Sequence, residues 1–268
     1  MIIYSIGILT VATNIYIDYW MEMVYTLDSA TPNRASITAH VFTDQPERAL
    51  EIAGTLTKIK VMVHEIPPTG WPNATLKRYQ IFKDFEKLLD QDILMHIDAD
   101  MKIVGNLYER VSEIGCQSAK RVCLVLHPGF WRPEGLLKTV LKYRSVRSEL
   151  SRGLYKFRNE PFGAWENRSE STAYVPAKSR LNYYCGGTWF GPRAEIIGLI
   201  DELAGTVERD LQNGITATWH DESHLNRWAT ENDHDAISPE FCYLEGARYL
   251  KGVNPIIIAV TKTLKTRQ

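Results

Sequence analysis

The chain has no run of about 18 apolar residues, so nothing in it is long enough to cross a bilayer as a helix. Its apolar opening, Met1 to Val11, has no basic residue ahead of it and reads as a first core strand rather than a signal peptide. The expectation is a soluble, cytoplasmic protein with no transmembrane anchor. Cysteine is scarce: Cys116, Cys123, Cys185 and Cys242 fall without a CxxC or zinc-type spacing, which argues against a zinc module and a disulfide framework. Small buried thiols in a reducing compartment are the remaining reading. Neither sign of charge dominates, with a formal net charge of −1, and this balance gives no reason to expect nucleic acid as a partner. There is no GxGxxG either, so a dinucleotide-binding domain lacks its fingerprint.

What is present is an ordinary globular composition, 44% hydrophobic and 24% charged over 268 residues, enough for one large or two small domains. Strand-like and helix-like stretches alternate. Ile2 to Val11 reads as a strand, Tyr16 to Leu27 as a helix, Ile37 to Thr43 as a strand, Glu47 to Thr57 as a helix and Ile59 to Val63 as a strand. Pro67 to Pro72 is a loop, and Leu76, Tyr79, Phe82, Phe85 and Leu89 then recur at helical spacing. This alternation predicts an α/β sheet, whose ligands bind beyond the carboxyl ends of its strands.

Asp92 to Met101 falls at such an end. A buried strand runs out in Asp98-Ala99-Asp100, and alternation would turn both carboxylates the same way. Two like charges on one face repel unless a cation lies between them, and Mg²⁺ or Mn²⁺ accepts a few carboxylates together with substrate phosphates. A plain turn after a strand is the competing reading, since Asp is frequent there.

The second half opens with a short strand, Arg121 to Leu126, followed by His127-Pro128-Gly129-Phe130-Trp131. Residues 132–159 carry eight Lys or Arg against Glu134 and Glu149, with a partial apolar stripe. Aromatics and glycines cluster in Tyr183 to Gly191, as a wall where a ligand approaches closely or as a packed turn. Glu195 to Leu211 reads as a helix, and the tail after Val260 is basic. Trp219 to Asn226 concentrates polar groups. It invites comparison with the H-E-x-x-H zinc motif, but Glu222 stands two residues after His220, about 200° round a helix instead of about 100°. That displacement argues against a metallopeptidase, and His224 and Asn226 read as core or capping groups. An Asp-x-Asp metal site, the Trp-His-Asp-Glu cluster and the basic tail together suggest a phosphate-bearing donor.

Several blocks, in order, resemble the family 6 glycosyltransferases, the family of the blood-group A and B transferases and the α-1,3-galactosyltransferase. They are Val41 to Pro46, Asp98 to Met101, Leu126 to Phe130, Glu166 to Pro176, Tyr183 to Gly187, Trp219 to Asn226 and Ser238 to Phe241. The resemblance implies a GT-A fold, a Rossmann-like mixed central sheet flanked by helices. It would be one domain over residues 1–268, with a nucleotide-sugar half (about 1–120), an acceptor and catalytic half (121–268) and a basic insertion at 132–159. It implies retaining, metal-assisted transfer of N-acetylgalactosamine or galactose from its UDP-sugar, in α-1,3 linkage, onto a galactoside-type oligosaccharide acceptor.

Residue by residue, Glu222 matches the catalytic carboxylate, as nucleophile or oxocarbenium stabiliser. Asp98 and Asp100 match the Mn²⁺–diphosphate ligands, with Mg²⁺ as the other cation that suits them. Tyr16, Arg78, Cys185, Gly186, Gly187, Asp221, Lys262 and Arg267 match donor-binding positions, Tyr16 against uracil and the last two closing over the diphosphate. His127, Trp219 and His220 match acceptor contacts. Cys185 and Gly187 fall where the family discriminates between donors, and a glycine at the second position would leave room for an acetamido group. The absence of an anchor resembles the prokaryotic or viral branch. The 132–159 insertion, beside His127, would be a lid, a solvated surface, or a basic face docking on anionic membrane or lipopolysaccharide. A UDP-sugar hydrolase and a non-catalytic, metal-dependent sugar-binding module are the alternatives.

Overall fold

The computed structural model describes residues 4–117, 121–131, 163–247, 250 and 252–260. The basic stretch 132–159 and the tail residues Lys262 and Arg267 lie outside them. Strand and helix alternate as the pattern predicts: β1 (Ser5–Val11), α1 (Tyr16–Ala30), β2 (Ser36–Thr43), α2 (Pro46–Ala53) and β3 (Lys60–Glu65). The stripe from Leu76 to Leu89 is not one helix. It forms α3 (Asn73–Leu76), α4 (Arg78–Asp84) and a 3₁₀ turn (Glu86–Leu88) before β4 (Ile93–Ile97). The chain leaves helical geometry at Lys77 (φ −95°, ψ 5°), where Arg78 turns its Nε back onto the Thr75 carbonyl at 3.3 Å. Leu76, Tyr79, Phe82 and Leu89 are nevertheless all buried in one layer, so the apolar spacing survives the break.

β5 (Met101–Ile103), α5 (Leu107–Gln117) and β6 (Val122–Leu126) follow, then β7 (Tyr184–Pro192), α6 (Arg193–Gln212), α7 (His220–Ala229), β8 (His234–Ile237), β9 (Tyr243–Leu244) and β10 (Ile257–Ala259). The aromatic–glycine cluster is thus not a turn but falls in β7, an interior strand. Its glycines let neighbours come close: a Cβ on Gly191 would stand 3.0 Å from the Arg121 carbonyl oxygen.

A seven-stranded sheet has the order β3-β2-β1-β4-β7-β6-β8. Its pairs are parallel except those of β7, which runs antiparallel to both β4 and β6. Strands buried on both faces explain the nearly continuous apolar runs of β1 and β4. Alternate side chains feed two cores. Ile6, Ile8, Met95 and Ile97 pack with α1, α2 and α5 on one face, and Leu9, Leu94 and Trp189 pack with α4, α6 and α7 on the other. A small sheet, β5-β10-β9, is tied to α1 by the Ile103 N–H donating to Thr26 Oγ1 at 3.0 Å. A mixed sheet between helical layers is the GT-A-like architecture expected. The sheet runs unbroken across both halves of the sequence, because β4 pairs directly with β7. No helix among the described residues is long and apolar enough to cross a membrane.

Candidate active site

β1, β4 and β6 all end at the same edge of the sheet, and β7 begins there. At the end of β4, the Asp98 N–H still pairs with the Gly187 carbonyl at 2.9 Å. Asp100 lies in the turn to β5, so strand alternation carries Asp98 but not Asp100. Asp98 is already faced by a cation: its Oδ1 is 3.0 Å from Arg78 Nη1. Arg78, buried at the start of α4, also has its Nε 3.2 Å from Asp221 Oδ2 on α7. Segments far apart in sequence therefore meet around one guanidinium.

His96, two residues before Asp98 on the same strand face, completes the cluster. Its Nδ1 sits 2.9 Å from the Leu9 carbonyl, which assigns the proton there and leaves Nε2 to accept from Arg78 Nη1. Burial, reinforced by the Arg78 charge, lowers the His96 pKa and keeps the ring neutral. Burial works against the Arg78 charge too, but Asp221 and Asp98 overcome it and hold the guanidinium protonated.

Carboxylates outnumber the cation, and the remaining strain falls on α7. Burial pushes Asp221 up to about 7 despite Arg78, with Asp98 and Glu222 adding like-charge repulsion. Its Oδ2 is within ion-pair distance of Arg78 yet accepts no hydrogen bond from any described residue. Burial likewise raises Glu222 to about 7, and two donors limit the rise. The Gly186 N–H reaches Oε2 at 2.8 Å and the Tyr183 hydroxyl reaches Oε1 at 2.7 Å, so both oxygens are clamped. Gly186 is where β7 must pass close to α7, since a Cβ there would come within 3.0 Å of Glu222 Cβ and 3.2 Å of Asp221 Oδ2.

α7 is held in register by side chains mimicking a strand partner. Asn226 Oδ1 accepts the Tyr184 N–H and Asn226 Nδ2 donates to the Tyr184 carbonyl, both at 2.8 Å. Asn226 is thus structural, as its surroundings in the sequence suggested. The helix begins at His220 in left-handed backbone (φ 49°), and Trp219 before it is 54% exposed. Upstream, the buried Glu166 accepts the N–H and Oγ1–H of Thr218, at 2.7 and 2.9 Å, and the Arg168 guanidinium at 2.7 Å. Burial alone would raise its pKa, but these donors bring it down to about 2.

The other expected residues gather round this edge in different ways. His127 follows β6, and its ring meets Phe130 (4.9 Å between centroids) and Tyr183 (5.7 Å). His220 meets the exposed Trp71 edge-on at 5.2 Å. Tyr16 opens α1 just beyond the end of β1. Gly187 does not open onto a vacant space: a Cβ there would lie 2.8 Å from Asp98 Oδ2 and 2.9 Å from the Met101 methyl. Cys185 is buried in the core, in the same cluster as Cys242. Sequence reasoning assigned no role to Tyr183, His96 or Trp71. The two-residue step to Asp98 was the signal for His96; the Tyr183 hydroxyl had none, because its reach depends on how β7 meets α7.

Asp98 and Asp100 offer hard oxygen donors, and no group of three His, Cys, Asp or Glu able to hold a metal occurs among the described residues. A pair of carboxylates fits Mg²⁺ or Mn²⁺, which keep open positions for water and substrate phosphate.

Residues 139–265 match the sequence model of Glycosyltransferase family 6. The chain is 25% identical over 243 residues to Histo-blood group ABO system transferase 1 of Rattus norvegicus, covering 89% of this chain and 61% of that protein. It is 22% identical over 244 residues to Globoside alpha-1,3-N-acetylgalactosaminyltransferase 1 of Gallus gallus, covering 89% and 62%. Alpha-1,3-galactosyltransferase 2 of Homo sapiens is 30% identical over 117 residues, 43% of this chain and 32% of that protein. The chain spans about three-fifths of the length of the first two relatives. The alignable stretch reaches across 89% of the chain and the family model matches residues 139–265, so the chain is similar to the members of glycosyltransferase family 6.

Proposed function

We propose that this chain is a retaining hexosyltransferase that moves N-acetylgalactosamine or galactose from a UDP-sugar, in α-1,3 linkage, onto a galactoside-type glycan. The observation that carries this reading is Glu222: a half-buried carboxylate with both oxygens held, beside the Arg78–Asp98–Asp221 cluster at the carboxyl edge of the sheet. Glycosyl transfer needs two charges managed at once. The departing diphosphate gains negative charge as its bond to the sugar breaks, and the anomeric carbon gains positive charge. A fixed anion under that carbon stabilises the transition state more than the ground state.

In this reading Glu222 faces the anomeric carbon. Asp221, whose Oδ2 accepts no hydrogen bond among the described residues, takes a sugar hydroxyl, with Arg78 holding it in place. Asp98 and Asp100 hold Mn²⁺ or Mg²⁺, which neutralises charge on the diphosphate when bound. Tyr16 contacts the uracil, and Lys262 and Arg267 complete the diphosphate site. His127, Trp219 and His220 receive the acceptor; the exposed Trp219 indole is suited to a sugar face.

The relatives' names cover both N-acetylgalactosaminyl and galactosyl transfer. We take N-acetylgalactosamine as the preferred donor, and kcat/KM for the two UDP-sugars decides it; a clear galactose preference would overturn that choice.

UDP release is the test of the whole reading. With Mn²⁺ present, a lactose-type or fucosylated acceptor should stimulate release from UDP-N-acetylgalactosamine or UDP-galactose. Release indifferent to acceptor would instead make the chain a hydrolase, and no release a sugar-binding module. Glu222→Gln should lose turnover by at least about a thousandfold while UDP affinity holds within about twofold. Surviving turnover would sink the assignment.

A further inference from the structure

We propose that Tyr183 is a positioning residue for Glu222, fixing the carboxylate's orientation and tying it to the aromatic cluster around His127. The inference rests on the reading of Glu222 given above and adds to it the group that aims the carboxylate.

A glutamate side chain has several rotatable bonds, and one main-chain donor fixes only one of its oxygens. Gly186 N–H holds Oε2 at 2.8 Å; the second oxygen depends on the Tyr183 hydroxyl at 2.7 Å. That hydroxyl is itself immobilised. Tyr183 is buried, and its ring takes edge-on contacts from Trp165 (5.1 Å, 87°), Phe130 (5.1 Å, 76°) and His127 (5.7 Å, 64°). Its carbonyl accepts the His127 N–H at 2.9 Å. A shift of the His127 segment therefore reaches Glu222 through one rigid ring.

The hydroxyl also has a second acceptor, the Ala164 carbonyl at 3.3 Å. Its proton can turn there whenever Glu222 spends its charge on the sugar, so the phenol is never left without a partner. A residue present only for packing would need neither the short contact nor this alternative.

Tyr183→Phe keeps the ring and removes the donor. The expected result is a kcat lower by about ten- to hundredfold, with donor and acceptor KM values within about twofold. An unchanged kcat, or a loss confined to acceptor KM, overturns the proposal. 3-Fluorotyrosine placed at position 183 restores the donor and makes it more acidic while leaving it protonated at neutral pH. It should return kcat to within a few-fold of the unmodified chain and move the acid limb of the kcat/KM profile to lower pH. An unmoved limb overturns the proposal, and this variant decides it even if Tyr183→Phe fails to fold. Arg78, Asp98 and Asp221, the charged groups acting on Glu222 besides, are unchanged in both variants. Glu222→Gln separates the two layers. If it is dead and Tyr183→Phe is fully active, only the positioning role fails; if it is active, the reading of Glu222 fails and takes this role with it.

Discussion

Gly187 and Glu222 illustrate how much of this site is decided by single atoms. The glycine stands where a methyl group would strike the Asp98 carboxylate and the Met101 methyl, at 2.8 and 2.9 Å. The space beside its α-carbon is bounded by Asp98 and Met101. Gly187→Ala should therefore lower kcat by about tenfold or more with both UDP-sugars alike, by displacing Asp98; a change in donor preference at undiminished rate would contradict this. Glu222 differs in being proposed from the sequence beforehand, because Trp219 to Asn226 resembles the family's residue types in a fixed local order. The Tyr183 hydroxyl and the Gly186 N–H were not readable, since Tyr183 just precedes β7, Gly186 lies in it, and both meet Glu222 across 39 and 36 residues of sequence.

Among the elements, the loop from residue 163 to 176 is held by a set of polar contacts. Glu166 joins it to the segment that launches α7, and Asp210 on α6 accepts Ser171 Oγ–H at 2.5 Å and Thr172 N–H at 2.7 Å. Replacing Glu166 by Gln removes the charge that gathers Arg168 and Thr218 and should cost about 2–4 kcal/mol. The sign with pH follows from its depressed pKa: the stabilisation is present above pH 4.5 and lost as pH falls toward about 2. Thermal melts at pH 7 should show Tm lowered by at least several degrees, and an unchanged Tm would rule out the staple. The apolar spacing from Leu76 to Leu89 located this buried layer correctly. It could not reveal the break at Lys77, because periodicity records which side chains are buried and not whether the backbone between them stays helical.

For the molecule as a whole, buried histidines and buried acids pull stability in opposite directions. Burial lowers His64 and His224 to about 4, and His40 and His96 move the same way. Each is neutral in the fold, so its contribution is present above pH 6.5 and is lost as pH falls below it, for His64 and His224 toward 4. Asp221 and Glu222, raised to about 7, do the reverse: their burial weakens the fold above pH 7 and costs less toward pH 4.5. Tm should fall from pH 6.5 to 4, with the histidines prevailing. Glu222→Gln should melt a few degrees above the unmodified chain at pH 8, with the gap closing by pH 5; a gap independent of pH would refute this balance. The layered sheet was legible because strands buried on both faces are apolar throughout, whereas the reversed direction of β7 leaves no mark on composition. That reversal has a consequence for how the length of this chain can vary. β6 and β7 meet at the site edge, where the His127 N–H closes on the Tyr183 carbonyl, so the whole excursion between them departs and returns through one doorway. Lengthening such an excursion costs only about 0.6 kcal/mol per doubling and disturbs no strand. The doorway thus tolerates a change of length in the excursion as long as the polar contacts of residues 163–176 that launch α7 are kept.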